Sequence, residues 1–218
     1  MKTLSRPTAD RQTSTRTGNV IVISAPSGTG KSTVVKRVLA SVAGLGFSVS
    51  HTTRPPRRGE QHGREYFFVS PARFKRMVGA QDFVEWAEVH GNLYGTSWKE
   101  LRNACESGKD IVLDIDVQGH AQVRRRLPDA VSIFLLPPSL PELARRLRRR
   151  HSEIPAMIEN RLKTARQEIS HWSEYDYVVV NDRVSSAVKG VMTVIMAARL
   201  RRQNQQRLVA QICGTFGG

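Results

Sequence analysis

The stretch Ala25, Pro26, Ser27, Gly28, Thr29, Gly30, Lys31, Ser32 and Thr33 packs two glycines, a lysine and four hydroxyls into one short turn. Gly28 and Gly30 let the backbone curl so that successive N–H groups point at one anion. A helix starting near Lys31 adds its positive N-terminal end. Lys31 can then reach the β- and γ-phosphates of a nucleotide, and the Ser32 hydroxyl can ligate Mg²⁺. The strict form of this motif begins with Gly, where this chain has Ala25. The turn points to nucleotide binding and does not separate kinase, GTPase and ATPase.

A second cluster lies in Ser50–Glu60, where Arg54 and Arg57 flank Pro55-Pro56. Two guanidinium forks on a backbone stiffened by proline can clamp a phosphate dianion. As a bare pattern, arginines beside prolines in a loop more often mark a solvated surface. Asp114 and Asp116 form a third cluster at the end of an apolar run, the carboxyl end of a strand, where α/β folds place ligands.

The elements that must carry these residues alternate. Val20–Ile23 is a β-branched run of the kind found in buried parallel strands, and Ser32–Ala43 has apolar residues at helical spacing. Residues 47–98 differ, with short strand-like runs (Phe47–Ser50, Glu65–Val69, Phe83–Glu88), turn signals, and one helix opened by Ser70-Pro71. Alternation resumes with strand Ile111–Ile115, helix Val117–Arg126 and strand Val131–Leu136. The capping box Ser139–Glu142 opens another helix. Arg148–Pro155 is polar, Ile158–Ile169 helical, Tyr177–Val180 a strand, and Val184 to about Leu208 a terminal helix. Repeated βα units imply an α/β fold with a parallel sheet covered by helices on both faces. The expected division is a disordered tail over 1–17, a core over 18–46, 99–136 and 170–218, an inserted lobe over 47–98 and a lid region over 137–169.

The chain has 218 residues, 34 Lys and Arg against 19 Asp and Glu, and a net charge of +15. Nucleic-acid binding is not expected, since no stacking aromatic cluster interleaves with the basic residues. Arginines at scattered places suit a multiply charged small anion, and part of the excess is ordinary surface composition. The two cysteines, Cys105 and Cys213, give neither a disulfide framework nor metal-ligand spacing. No apolar run is long enough to span a bilayer, and no signal peptide is visible. Cytoplasmic localisation is the expectation.

The order of motifs is more specific than any one of them. The phosphate turn is followed by Ser50-x-Thr-Thr-Arg54-x-x-Arg57, Gly63-x-x-Tyr66-x-Phe68, Phe83-x-Glu85-Trp86-Ala87, Gly91-Asn-x-Tyr94-Gly-Thr96 and Leu113-Asp-Ile-Asp116-x-Gln118-Gly119. Pro137-Pro138, an Arg-rich stretch, Arg161-Leu162 and Val180-Asn181-Asp182 complete the series. Together they resemble guanylate kinases over roughly Val20 to Leu200. The resemblance implies a P-loop nucleoside monophosphate kinase that moves the terminal phosphoryl group of ATP onto GMP with Mg²⁺, with dGMP acceptance and oligomeric state left open.

It also implies roles for residues. Ser50, Arg54, Arg57, Tyr66, Glu85, Tyr94 and Thr96 match the GMP site, with Arg54, Arg57, Tyr66 and Tyr94 on the phosphate and Ser50, Glu85 and Thr96 on the base. Asp114 and Asp116 could hold Mg²⁺-bound water or the guanine amino group, or cap the helix at Val117; the sequence does not divide these roles. Arg146, Arg150 and Arg161 match lid arginines, and Asn181 and Asp182 a site flanking the adenine. Family members usually carry Gly just after the position of Arg150, where this chain has His151. Lys31, Arg57, Arg150 and Arg161 would share the transition-state charge. A catalytically inactive guanylate-kinase-like binding module is the alternative, against which stand the retained Gly-Lys-Ser and the phosphate arginines.

Overall fold

A computed structural model describes residues 17–89, 91–149 and 155–216. Its larger sheet joins β2 (Leu45–Phe47), β7 (Asp110–Asp114), β1 (Val20–Ser24), β8 (Val131–Leu136) and β9 (Tyr177–Val180) in that order, all parallel. Side chains alternate across a strand, so Ile21 and Ile23 of β1 face one helical layer and Val22 the other. The first layer is α1 (Lys31–Ser41) with α7 (Val184–Arg199), and the second is α3 (Trp98–Glu106) with α4 (Val117–Arg126). Burial on both faces explains why β1 reads as one continuous apolar run.

A smaller mixed sheet orders β4 (Phe67–Phe68), β3 (His51–Thr52), β6 (Asn92–Ser97) and β5 (Phe83–Val89). Helix α2 (Pro71–Gly79) covers one face by stacking Phe74 on Phe83. Its start is as the sequence indicates: Ser70 Oγ accepts from the Arg73 N–H, with Pro71 at the first helical position. The lobe is tied to the core through α4, where Arg126 Nη1 donates to the Phe83 and Val84 carbonyls and Gln122 brackets Trp86. Helices α5 (Leu140–Arg148) and α6 (Pro155–Ile169) pack on each other through Leu143, Leu147 and Ala165, all buried. No helix among the described residues is long and apolar enough to cross a membrane.

Four readings of local structure need correction. The strand expected at Phe47–Ser50 is β2, which ends at Phe47 and pairs with β7, so it belongs to the core sheet and not to the lobe. The strand expected over Glu65–Val69 shortens to Phe67–Phe68, because Gly63 at φ 82° turns the chain just before it. Strand β6 and helix α3 have no counterpart in the sequence reading; Ser97 caps α3 by accepting from the Glu100 N–H. The terminal helix breaks into α7 and α8 (Arg202–Gly214). There the side-chain amides of Asn204 and Gln205 donate to the Ala198 and Arg199 carbonyls that a continuous helix would use, and Asn204 also reaches Asn19.

Candidate active site

The phosphate turn links β1 to α1. Gly28 and Gly30 sit at φ 90° and 97°, a region that side chains with a Cβ avoid. A Cβ on Gly28 would lie 2.7 Å from Leu147 Cδ2, and one on Gly30 2.9 Å from Asn181 Nδ2. Conformation and space therefore both demand glycine. Gly30 also forms the N-terminal boundary of α1 without a side-chain cap, which leaves the first helical N–H groups to a ligand. Ala25, in place of the motif's first glycine, is 9% exposed and packs in the core below the turn.

Lys31 Nζ meets Asp114 Oδ1 at 2.6 Å and donates to the Ile115 carbonyl at 3.2 Å. Asp116 instead caps α4, its Oδ1 accepting from the Gly119 N–H at 2.8 Å. The structure thus separates two aspartates that the sequence left undivided: Asp114 stands at the lysine, and Asp116 stands close enough to Glu85 to influence its ionisation. Ser32 and Thr33 are exposed at the start of α1, while Ser27 and Pro26 form the first bend, with the Pro26 carbonyl accepting from the Thr29 N–H.

The Thr29 carbonyl gathers the far side of the turn, accepting from Asn181 Nδ2 at 2.7 Å and from Arg146 Nη1 at 3.1 Å. Arg146 continues to the Asp182 carbonyl and is held by Glu142 at 2.7 Å. Two buried polar atoms at the turn, Thr29 Oγ1 and Asn181 Oδ1, have no hydrogen-bond partner among the described residues. Buried polar atoms are normally satisfied, so this unmet capacity suits a polar ligand or solvent at the turn.

The second half of the site lies on the smaller sheet. Glu85 on β5 is 4% exposed, and Thr96 on β6, directly opposite, donates to its Oε1 at 2.6 Å. No ion pair to Glu85 exists among the described residues, and burial pushes its carboxyl up to about 7 despite the Thr96 bond. A Cβ on Gly119 would lie 3.0 Å from Glu85 Oε2, so α4 approaches the carboxylate with bare backbone. Ser50 is half-buried beside β3.

Arg54 lies over the Tyr66 ring at 5.4 Å, and Tyr66 meets Tyr94 edge to face at 5.8 Å. Arg57 is exposed and its N–H donates to Glu60, whose carboxyl its charge helps to lower. Glu60 is a residue that sequence reasoning passed over. Its carboxylate accepts from Arg54 Nη2 at 2.8 Å and from the Arg57 N–H at 2.7 Å, fixing both arginine positions. The visible signal was a carboxylate three residues beyond Arg57, next to Gly59 at φ 89°. Glu168 on α6 was passed over too; its Oε2 accepts from the Ser27 N–H at 3.4 Å. Arg161 lies on α6, half-buried and with a partner of its own. Arg150 lies outside the described residues.

The comparisons fit this geometry. The family model described as guanylate kinase matches residues 17–198. A guanylate kinase of Koribacter versatilis is 50% identical over 192 residues, 87% of this chain and 82% of that protein. One of Neisseria gonorrhoeae is 47% identical over 197 residues, 90% of this chain and 96% of that protein. The crystal structure of guanylate kinase from Anaplasma phagocytophilum superposes with a TM-score of 0.71 at 35% identity, covering 87% of this chain and 90% of that one. A chain matched over nearly its whole folded length, with the phosphate turn and the buried carboxylate both in place, belongs to the guanylate kinase family.

Proposed function

We propose that this chain transfers the terminal phosphoryl group of ATP to GMP, giving ADP and GDP, with the roles of individual residues as follows. The observation that carries this reading is Glu85, a buried carboxylate whose one side-chain partner among the described residues is a hydroxyl. A carboxylate only accepts hydrogen bonds, and guanine presents the N1–H and 2-amino donors side by side. Asp116 faces the same pocket, and Ser50 and Thr96 complete the base end. Arg54, Arg57, Tyr66 and Tyr94 hold the GMP phosphate, with Glu60 holding the Arg54 guanidinium and the Arg57 main chain.

The phosphates of ATP lie along the N–H groups of residues 27–32, and Lys31 moves from Asp114 onto them. Arg146, Asn181 and Asp182 border the adenine end. Phosphoryl transfer asks the protein for alignment and charge stabilisation more than for covalent chemistry. Lys31, Arg57, Arg150 and Arg161 supply that charge, and closure of the lid helices excludes water that would otherwise hydrolyse ATP.

Among the described residues no group of three His, Cys, Asp or Glu could hold a metal ion. Mg²⁺ suits such a site, because it is commonly held by substrate phosphates and few protein oxygens. The exposed Ser32 hydroxyl, with Asp114 beyond Lys31, would hold it. When bound, it neutralises charge on the β- and γ-oxygens.

The test is ADP release with GMP, AMP, UMP and no acceptor. Turnover with GMP at least a thousandfold above the others is expected. Equal rates with AMP or without acceptor would overturn the reading.

A further inference from the structure

Three consecutive residues of the phosphate turn are each held from the side of α5 and α6. Leu147 and Leu143 fill the space beside Gly28, Arg146 binds the Thr29 carbonyl, and Glu168 takes the Ser27 N–H. The first two contacts do not compete with an anion. The third does, because a main-chain N–H of this turn is an anion donor and the group using it is itself an anion.

Glu168 stands in the last turn of α6. Burial raises its carboxyl, Asp116 raises it further, and the Ser27 N–H and Lys31 oppose both. The charged or titratable groups facing it are therefore Lys31 from α1, Asp116 from the β7–α4 turn and the Tyr175 phenol, while α5 directs Arg146 to Thr29. Its 3.4 Å contact is long for a charge-assisted hydrogen bond, which marks a bond that yields readily. Arg161, Ala165 and Glu168 follow one another at helical spacing, so they share a stripe of α6. Ala165 pins that stripe to Leu143 and Leu147. A shift of Glu168 is thereby carried along a rigid helix to Arg161, about 10 Å away along the axis.

We propose that Glu168 is a positioning residue that competes with the phosphates of ATP for the Ser27 N–H, so that filling the turn releases the base of α6 and resets the helix that carries Arg161. The inference rests on the reading that the phosphates of ATP occupy this turn. In the ligand-free enzyme Glu168 acts as an internal anion that keeps α6 seated. With ATP bound, two anions cannot share one donor. The carboxylate leaves, and α6 is free to move with the lid.

The experiment is calorimetric titration of ATP, without GMP, onto the parent protein and onto Glu168→Gln, Glu168→Ala and Lys31→Ala, at pH 6 and pH 8, with melting curves for all four. Both Glu168 variants are expected to bind ATP roughly threefold to tenfold tighter than the parent at pH 8, the span of one net hydrogen bond. The advantage shrinks as pH falls, because the raised carboxyl takes up its proton sooner than an ordinary glutamate and then stops competing. A merely structural role would leave ATP affinity unchanged or weaken it. Equal or weaker ATP binding in both Glu168 variants, at unchanged melting temperature, would overturn the proposal. If Lys31→Ala binds ATP as the parent does, the underlying assignment of the turn is what fails.

Discussion

The two ends of the site meet charge in opposite ways. At the phosphate turn the cation is already paired, with Lys31 against Asp114 at 2.6 Å. The proposed phosphate clamp beside the smaller sheet follows the same rule, with Arg54 against Glu60 at 2.8 Å. The base pocket does not. Glu85 is 4% exposed and among the described residues has a hydroxyl for company but no cation. An internal counter-ion holds a side chain ready and is exchanged for substrate at small net cost. A buried carboxylate without one is satisfied only by the right donors. On the proposed function, the turn with Lys31 would serve rate and the buried carboxylate would serve choice of base.

The sharpest test of this contrast is base selectivity. Sites that hydrogen-bond a substrate group reject an analogue lacking it by roughly 10⁴–10⁵. At pH 8, where the Glu85 carboxyl is ionised, adenine would set a bare N1 lone pair against it, so the parent should prefer GMP over AMP by about that factor in kcat/KM. Glu85→Gln should lose most of the preference, because its amide NH₂ can donate where the carboxylate could only accept. An unchanged GMP-to-AMP ratio in the variant would remove Glu85 from base reading.

Lys31→Ala should lower kcat by about 10²–10³, the usual result of removing one preorganised electrostatic contact to a transition state. The fold should survive, since the lysine head is not in the core, although Asp114 is left without its partner. Near-full turnover in this variant would break the assignment of the turn.

Arg54→Ala should raise KM for GMP by roughly tenfold to a hundredfold, as expected for a hydrogen bond to a charged group. Its kcat should change less, because the acceptor phosphate is present from the ground state onward. A fall in kcat at constant KM would move Arg54 from binding to catalysis.

The smallest effect is on stability. The folded Glu85 carboxyl holds its proton up to about pH 7, against 4.5 for the ordinary group. Below pH 4.5 both folded and unfolded states are protonated and burial of the charge costs nothing. The cost grows as pH rises and is complete above about pH 7, at about 3 kcal/mol. Glu85→Gln avoids it, so the ligand-free variant should melt roughly 6–12 °C above the parent at pH 8 and level with it at pH 4. The same change would therefore stabilise the protein and spoil its selectivity. A melting temperature equal to the parent's at pH 8 would show that the carboxylate is better solvated than its burial implies.

Much of the phosphate end was legible in the residues alone. The turn is contiguous, and its glycines, lysine and helix start are dictated by local backbone geometry. The apolar run of β1 and the spacing of Val34, Val35 and Val38 gave the flanking elements for the same reason. The base end was less legible. Ser50, Glu85 and Thr96 lie far apart in the chain, and Glu85 taken alone reads as a solvent-facing strand carboxylate; the ordered motifs, not its own chemistry, singled it out. Strand β6 went unread because the Gly91-Asn92 turn and Gly95 hid a strand that forms a hairpin with β5, and its second pairing, with β3, is non-local.

The sequence by itself determined the phosphate turn, the alternation that makes a parallel sheet, and the membership that the ordered motifs announce. Those depend on neighbours along the chain. Only the tertiary structure decided that Asp114 meets Lys31 while Asp116 caps α4 and lies near enough to Glu85 to raise its carboxyl. It alone joined β2 to the core sheet, broke the last helix at Leu200, and set the carboxylates of Glu60 and Glu168 on N–H groups near which phosphates are expected to bind. Each of these is a contact between residues remote in sequence or a competition for one hydrogen-bond partner, and a linear pattern carries no record of which competitor wins.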